Sequence, residues 1–144
     1  MCFEHTNFRN QLTATTTTAT SSITVTFTLL ILTSPYTHQA TYAAYRFAQA
    51  AVAVGHTVRQ AFFYSDGAAA AGVSITSGDE IDVMKEWQRF AAQEKIELII
   101  CETAMNRRAV GRSSVESDKN HLKLGSLSEL LSASIASDRT LTFA

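Results

Sequence analysis

The chain has 144 residues, a net charge of −1, and 46% apolar against 17% charged residues. That is the length of one domain and the composition of a folded one, so a disordered chain is excluded. The near-neutral balance offers no basic surface for nucleic acid or an anionic membrane. The longest apolar stretch, near residues 27–32, falls far short of the ~20 residues that a membrane-spanning helix needs.

Residues 1–22, MCFEHTNFRNQLTATTTTATSS, carry a Thr-rich block with no helical or strand period. They read as a disordered N-terminal extension, and a single domain is expected over 23–144. In ITVTFTLLIL (23–32), Ile23, Val25, Phe27, Leu29 and Ile31 alternate with threonines, which predicts a strand. Toward its end the run is apolar on both faces, as in the middle of a parallel sheet. TSPYTHQ (33–39) holds the only proline and is a loop. The Ala-rich 40–55 predicts a helix, with Tyr42, Tyr45, Ala48, Gln49 and Val52 on one face and Gly55 as its stop.

A second strand is expected near 58–64, then a turn at Asp66-Gly67 and a small-residue loop over 68–78. Asp79 is the expected cap of a helix over 80–95 that turns Ile81, Met84, Trp87, Phe90 and Ala91 inward. IELIIC (96–101) is a third strand, followed by a short helix over about 103–110 with Thr103 as its cap. Residues 112–124 read as polar and irregular. A helix over 126–137 puts Leu127, Leu130, Leu131 and Ile135 inward, and RTLTF (139–143) is a last strand. Strands alternating with helices predict an α/β layer fold with a mainly parallel sheet.

In such a sheet, sites form at the carboxyl ends of strands. Cys101 is expected at one of these ends, with a helix starting just after it. A helix start favours an anion by about 0.3–1 kcal/mol, so it favours the thiolate, the nucleophilic form of cysteine. Arg107 or Arg108 would add to this by folding back, and Glu102 would oppose it. The same position also suits a small core residue, because cysteine is often fully buried. Cys2 is the only other cysteine and lies in the tail, so there is neither a disulfide framework nor a resolving thiol. This usage fits a reducing, cytoplasmic setting. A lone reactive thiol suits carrying a group and handing it to another thiol.

The remaining constellations are weak. His5, His38, His56 and His121 have no metal spacing; His38 falls on the same sheet edge as Cys101. No GxSxG and no phosphate-cradling glycine pattern occurs. Trp87 reads as a core or interface residue.

VGHTV and FFYSDGA, then DEIDVMKEWQRFA, ELIICETAMNRRAVG and SLSELLSASIASDRTLTF resemble, in order and spacing, the DsrE/TusD sulfurtransferase family, and its TusD branch in particular. The similarity runs from about Phe27 to the C-terminus. The Thr-rich residues 1–22 have no counterpart in that pattern. The resemblance implies a flavodoxin-like, three-layer fold and places Cys101 at the family's persulfide-forming position. It implies sulfur taken from a TusA-type donor and passed to a TusE-type acceptor, ending in 2-thiolation of the tRNA wobble uridine. It also implies assembly with TusB-like and TusC-like subunits as a heterohexamer. No metal, organic cofactor, membrane or direct nucleic-acid contact is implied. Three alternatives stay open: a DsrE-type subunit of dissimilatory sulfur metabolism, a non-catalytic assembly subunit of the same fold, and a small-ligand binding module.

Overall fold

The computed structural model describes residues 23–72, 81–111, 115 and 121–144. The N-terminal extension expected over 1–22 lies outside them, as does Asp79. In chain order the elements are β1 (Thr26–Ile31), α1 (Ala40–Ala53), β2 (Thr57–Phe63), a 3-10 helix (Ser65–Ala71) and α2 (Val83–Glu94). Next come β3 (Glu97–Cys101), α3 (Glu102–Arg107), β4 (Leu122–Gly125), α4 (Leu127–Ile135) and β5 (Arg139–Phe143).

The strands form one sheet in the order β4-β3-β2-β1-β5, and every pair is parallel. From β1 to β4 the chain steps one strand at a time in one direction. It then crosses back over the sheet to place β5 on the far side of β1. Parallel connections are right-handed, so the forward steps and the return must lie on opposite faces. The side chains agree. Phe27 meets Phe47 of α1, and Phe63 meets Trp87 of α2, edge to face. The alternate residues look the other way: the Thr28 and Ser137 hydroxyls bond at 2.8 Å just beyond α4.

The core is thickest under α1 and α2. Leu29, Ile31, Ala61, Phe63, Leu98 and Ile100 are buried there with Ala44, Ala48 and Trp87. Trp87 is fully buried, and its indole N–H donates to the Thr41 carbonyl at 3.2 Å, so its one polar atom is satisfied. The buried residues of α1 are Thr41, Ala44, Tyr45, Ala48 and Ala51. Relative to the expected face, the stripe has rotated by one position, and Tyr42 is exposed. Alanines let the helix lie close to the sheet, while Tyr45 reaches over to Trp87 and Phe90.

Several expectations are corrected. β1 starts at Thr26, and Ile23 is exposed ahead of it. The expected loop at 68–78 begins instead as the 3-10 helix, because Gly67 is drawn against β1: its N–H donates to the Leu32 and Tyr64 carbonyls. A Cβ there would collide with the Ile31 carbonyl, so only glycine fits. α2 is capped by Asp82, whose carboxylate accepts the Lys85 N–H at 3.2 Å. Ile81 precedes that cap and is exposed. Residues 122–125, expected to be mostly irregular, form β4. On α4 only Ala133 is buried; of the expected inward stripe Leu130 packs partly buried against the core, whereas Leu127, Leu131 and Ile135 are 50%, 61% and 78% exposed. The inward side of α4 is formed by Leu130 and Ala133, so the row Leu127, Leu131 and Ile135 falls on the outer side of the helix.

Candidate functional site

Cys101 is the last residue of β3 and the N-cap of α3. The expected cap, Thr103, lies inside the helix and is exposed. The strand is apolar up to this point because it is an inner strand, flanked by β2 and β4. It ends here because the Cys101 backbone, at φ −65° and ψ 112°, hands over to the helical Glu102. Cys101 is 1% exposed, and its side chain makes no hydrogen bond to a described residue. As an N-cap residue it makes no capping bond, which leaves the first-turn amides of α3 without that partner.

A cavity of about 460 Å³ opens beside this thiol. Its wall comes from the carboxyl ends of three neighbouring strands and the residues just beyond them: Tyr64 and Ser65 after β2, Cys101 with Thr103, Ala104, Arg107 and Arg108 after β3, and Ser126, Leu127 and Ser128 after β4. Cys101 therefore satisfies both readings of its position. It packs as a small core residue, and it also faces a cavity large enough for a small ligand or the tip of a peptide.

The two arginines part company. Arg108 is tied into the fold. Its Nε and Nη2 donate to one carboxylate oxygen of Asp66 at 2.9 and 2.6 Å. Nη2 also reaches the Ser65 hydroxyl at 3.3 Å, and Nη1 reaches the Ala104 carbonyl at 3.1 Å. Arg108 thus joins α3 to the 3-10 helix across the cavity rim. Arg107 is exposed and makes no ion pair or hydrogen bond with a described residue. The half-buried Glu102 is engaged in an interaction of its own.

On the β4 side a capping box starts α4. The Ser126 N–H donates to Glu129 Oε2 at 2.6 Å, and the Ser126 side chain takes the Glu129 N–H in return. Gly125, the register partner of Cys101, has no room for a side chain: a Cβ would meet Ile99 Cγ2 and stand 2.5 Å from Glu129 Oε2.

His38 is exposed in the turn before α1 and does not line the cavity. His56 stands immediately before β2, and its Nδ1 accepts from the Val25 N–H at 3.4 Å beside the Phe27 ring. His121 is exposed, with φ at 49°. Among the described residues, no group of three His, Cys, Asp or Glu is placed to hold a metal ion, and no helix is long and apolar enough to cross a membrane. The sequence reading missed Ser126, Leu127 and Ser128 as site residues. They come after a strand of four residues that contains a lysine and a glycine, too short for a period to show.

A five-stranded parallel sheet with helices on both faces and a cavity at its carboxyl edge defines an α/β protein of flavodoxin-like type. Residues 26–143 match the DsrE/DsrF-like family, and the chain belongs to that family. A sulfurtransferase TusD from Serratia proteamaculans is 35% identical over 124 residues, 79% of this chain and 96% of that protein. A putative sulfurtransferase DsrE from Allochromatium vinosum is 31% identical over 124 residues, 80% of this chain and 95% of that protein. Among solved structures, the ychN protein from E. coli superposes with a TM-score of 0.67 at 17% identity, covering 84% of this chain and all of that one. This last likeness concerns the fold alone.

Proposed function

We propose that this chain is a sulfurtransferase that carries sulfur as a persulfide on Cys101. The observation that carries the reading is the placement of the thiol: the only cysteine among the described residues stands at a strand's carboxyl end and lines a 460 Å³ cavity. Sulfur transfer is the activity in the names of the TusD and DsrE relatives. Two exchanges make up the cycle. The Cys101 thiolate attacks the terminal sulfur of a donor persulfide, R–S–SH. The donor's S–S bond breaks, its electron pair leaves with R–S⁻, and Cys101 becomes Cys–S–SH. An acceptor thiolate then attacks that terminal sulfur, forms the new persulfide and returns Cys101 as thiolate. Atoms and charge balance in both steps, and thiol exchange needs only a thiolate and access.

On the TusD reading the donor is a TusA-type protein, the acceptor is TusE-type, and the sulfur ends on the tRNA wobble uridine. TusB-like and TusC-like subunits would complete the assembly, and the exposed apolar side of α4 supports a partnered chain. The similarity to DsrE supports a second reading, in which the same persulfide feeds sulfur metabolism rather than tRNA.

The test tracks labelled sulfur from a TusA-type persulfide donor through the chain to a TusE-type acceptor, with mass spectrometry of the Cys101 peptide. Cys101→Ser is expected to fold, because the swap is nearly isosteric, and to lose both the adduct and the transfer. Cys2→Ser is expected to keep both. Undiminished transfer by Cys101→Ser would sink the mechanism. Loss of transfer with normal cellular tRNA thiolation would favour the second reading.

A further inference from the structure

We infer that Arg107 is the specificity-determining residue of the Cys101 cavity, selecting sulfur species that arrive or leave as anions. The inference rests on Cys101 being the sulfur carrier, and it adds which side chain receives the partner's charge. Three observations carry it.

Among the described residues, two cations line the cavity and no carboxylate does. One of the cations, Arg108, is already committed: Asp66 pairs with it, and with Ser65 and the Ala104 carbonyl it occupies four of the five guanidinium donors. The other, Arg107, lies one residue earlier on α3, is exposed, and has no partner among the described residues. The rest of the wall is neutral: hydroxyls from Tyr64, Ser65, Thr103, Ser126 and Ser128, with Ala104 and Leu127. The cavity thus presents a buried thiol on its wall and, among the described residues, one uncompensated positive charge.

The chemistry calls for a charge of that sign. When the Cys101 thiolate takes the terminal sulfur of R–S–SH, the electron pair of the broken S–S bond leaves on R–S⁻, and that thiolate forms inside the cavity. In the second exchange the attacking thiolate enters by the same route. In both steps a guanidinium on the wall offsets a negative sulfur that is not Cys101's own, and its five donors allow it to bond that sulfur directly. Arg107 is therefore a residue that touches substrate, and Arg108 is a positioning residue that holds α3 in place.

Alkylation of Cys101 in the full chain tests this without any sulfur donor. Iodoacetate and iodoacetamide deliver the same carbon to the same thiol, the first as an anion and the second neutral, and peptide mass spectrometry separates Cys101 from Cys2. In Arg107→Gln the iodoacetate rate should fall by about two- to five-fold relative to iodoacetamide, the size that an exposed ion pair gives. The difference should shrink at high salt. Arg107→Lys should restore the ratio. An unchanged ratio in Arg107→Gln, or equal loss with both reagents, would overturn the inference. So would failure of native Cys101 to react with either reagent, because the thiol would then not be reached through the cavity. The persulfide reading is decided separately, by sulfur transfer in Cys101→Ser, so the two can fail independently.

Discussion

Cys101 and Gly125 stand opposite each other at the carboxyl ends of the parallel β3–β4 pair, and the space a Gly125 side chain would need is filled by Ile99 and Glu129. The glycine therefore links the thiol's strand to the start of α4. Gly125→Ala should push Glu129 out of the capping box and crowd Ile99. Overpacking of this kind costs about 1–3 kcal/mol. Urea unfolding should show that loss, whereas Glu129→Gln, which keeps the reach and the acceptor, should cost well under half as much. A Gly125→Ala variant as stable as the wild type would mean that the strand end yields freely.

The Arg108–Asp66 pair gives a second prediction. Arg108 is largely covered and Asp66 is open to solvent, at 29% and 71% side-chain exposure. Solvent screening keeps such a pair weak, so a double-mutant cycle with Arg108→Gln and Asp66→Asn should give a coupling of about 0.5–1 kcal/mol. Arg108→Gln alone should cost more than the coupling, because the Ser65 and Ala104 contacts go with it. Equal single and coupling energies would reduce Arg108 to a surface charge.

Asp82 sets a pH dependence. Burial raises the affinity of its carboxyl for a proton. The Lys85 backbone N–H, the Lys85 ammonium at 3.1 Å and the Tyr36 hydroxyl at 3.0 Å outweigh that and hold its pKa below the usual carboxylate range. A carboxyl whose pKa is lower folded than unfolded contributes stability that is complete above the unfolded value, near 4. The contribution is lost as the pH falls through the lower, folded value. Asp82→Ala should cost about 1 kcal/mol at neutral pH, the usual loss of an N-cap. The gap between it and the wild type should narrow as the pH falls below the unfolded value and through the lower, folded one. Thermal unfolding of both across that range checks the sign: a gap that widens in acid would contradict it.

The order of elements was readable because the strands carry their own signals. β1 alternates, β2 and β3 are apolar runs, and β5 alternates threonine with leucine and phenylalanine. That Cys101 would end a strand was equally readable, since the apolar run stops there and charged residues come next. The rest depended on tertiary context. The Asp82 cap needed Tyr36, 46 residues away, to mark it out from Asp79. The helix over Ser65–Ala71 needed Gly67 to seat against β1. The roles of Arg107 and Arg108 are indistinguishable in a sequence that simply reads Arg-Arg. Asp66, which separates them, lies 42 residues before Arg108. The α4 leucines misled because periodicity gives the apolar side of a helix and not what lies against it.

That apolar side carries the last prediction. Leu127, Leu131 and Ile135 recur every four residues on α4 and remain open to solvent, while the aromatic residues Tyr45 and Phe47 of α1 are engaged within the fold by Trp87, Phe90, Phe27 and Phe143. The surface through which the chain associates should therefore be α4 rather than α1. Leu131→Lys combined with Ile135→Lys removes apolar area only from the outside. Unfolding free energy should change by no more than about 0.5 kcal/mol, the usual range for exposed positions. Leu127 is left intact because it also lines the cavity beside Cys101. Sedimentation should show the wild type associating, with itself or with TusB-like and TusC-like chains, and the double variant shifted toward monomer. A Tyr42→Lys control on α1 should leave association unchanged. If the double variant sediments like the wild type while Tyr42→Lys dissociates, α1 is the interface and the α4 stripe has no part in assembly.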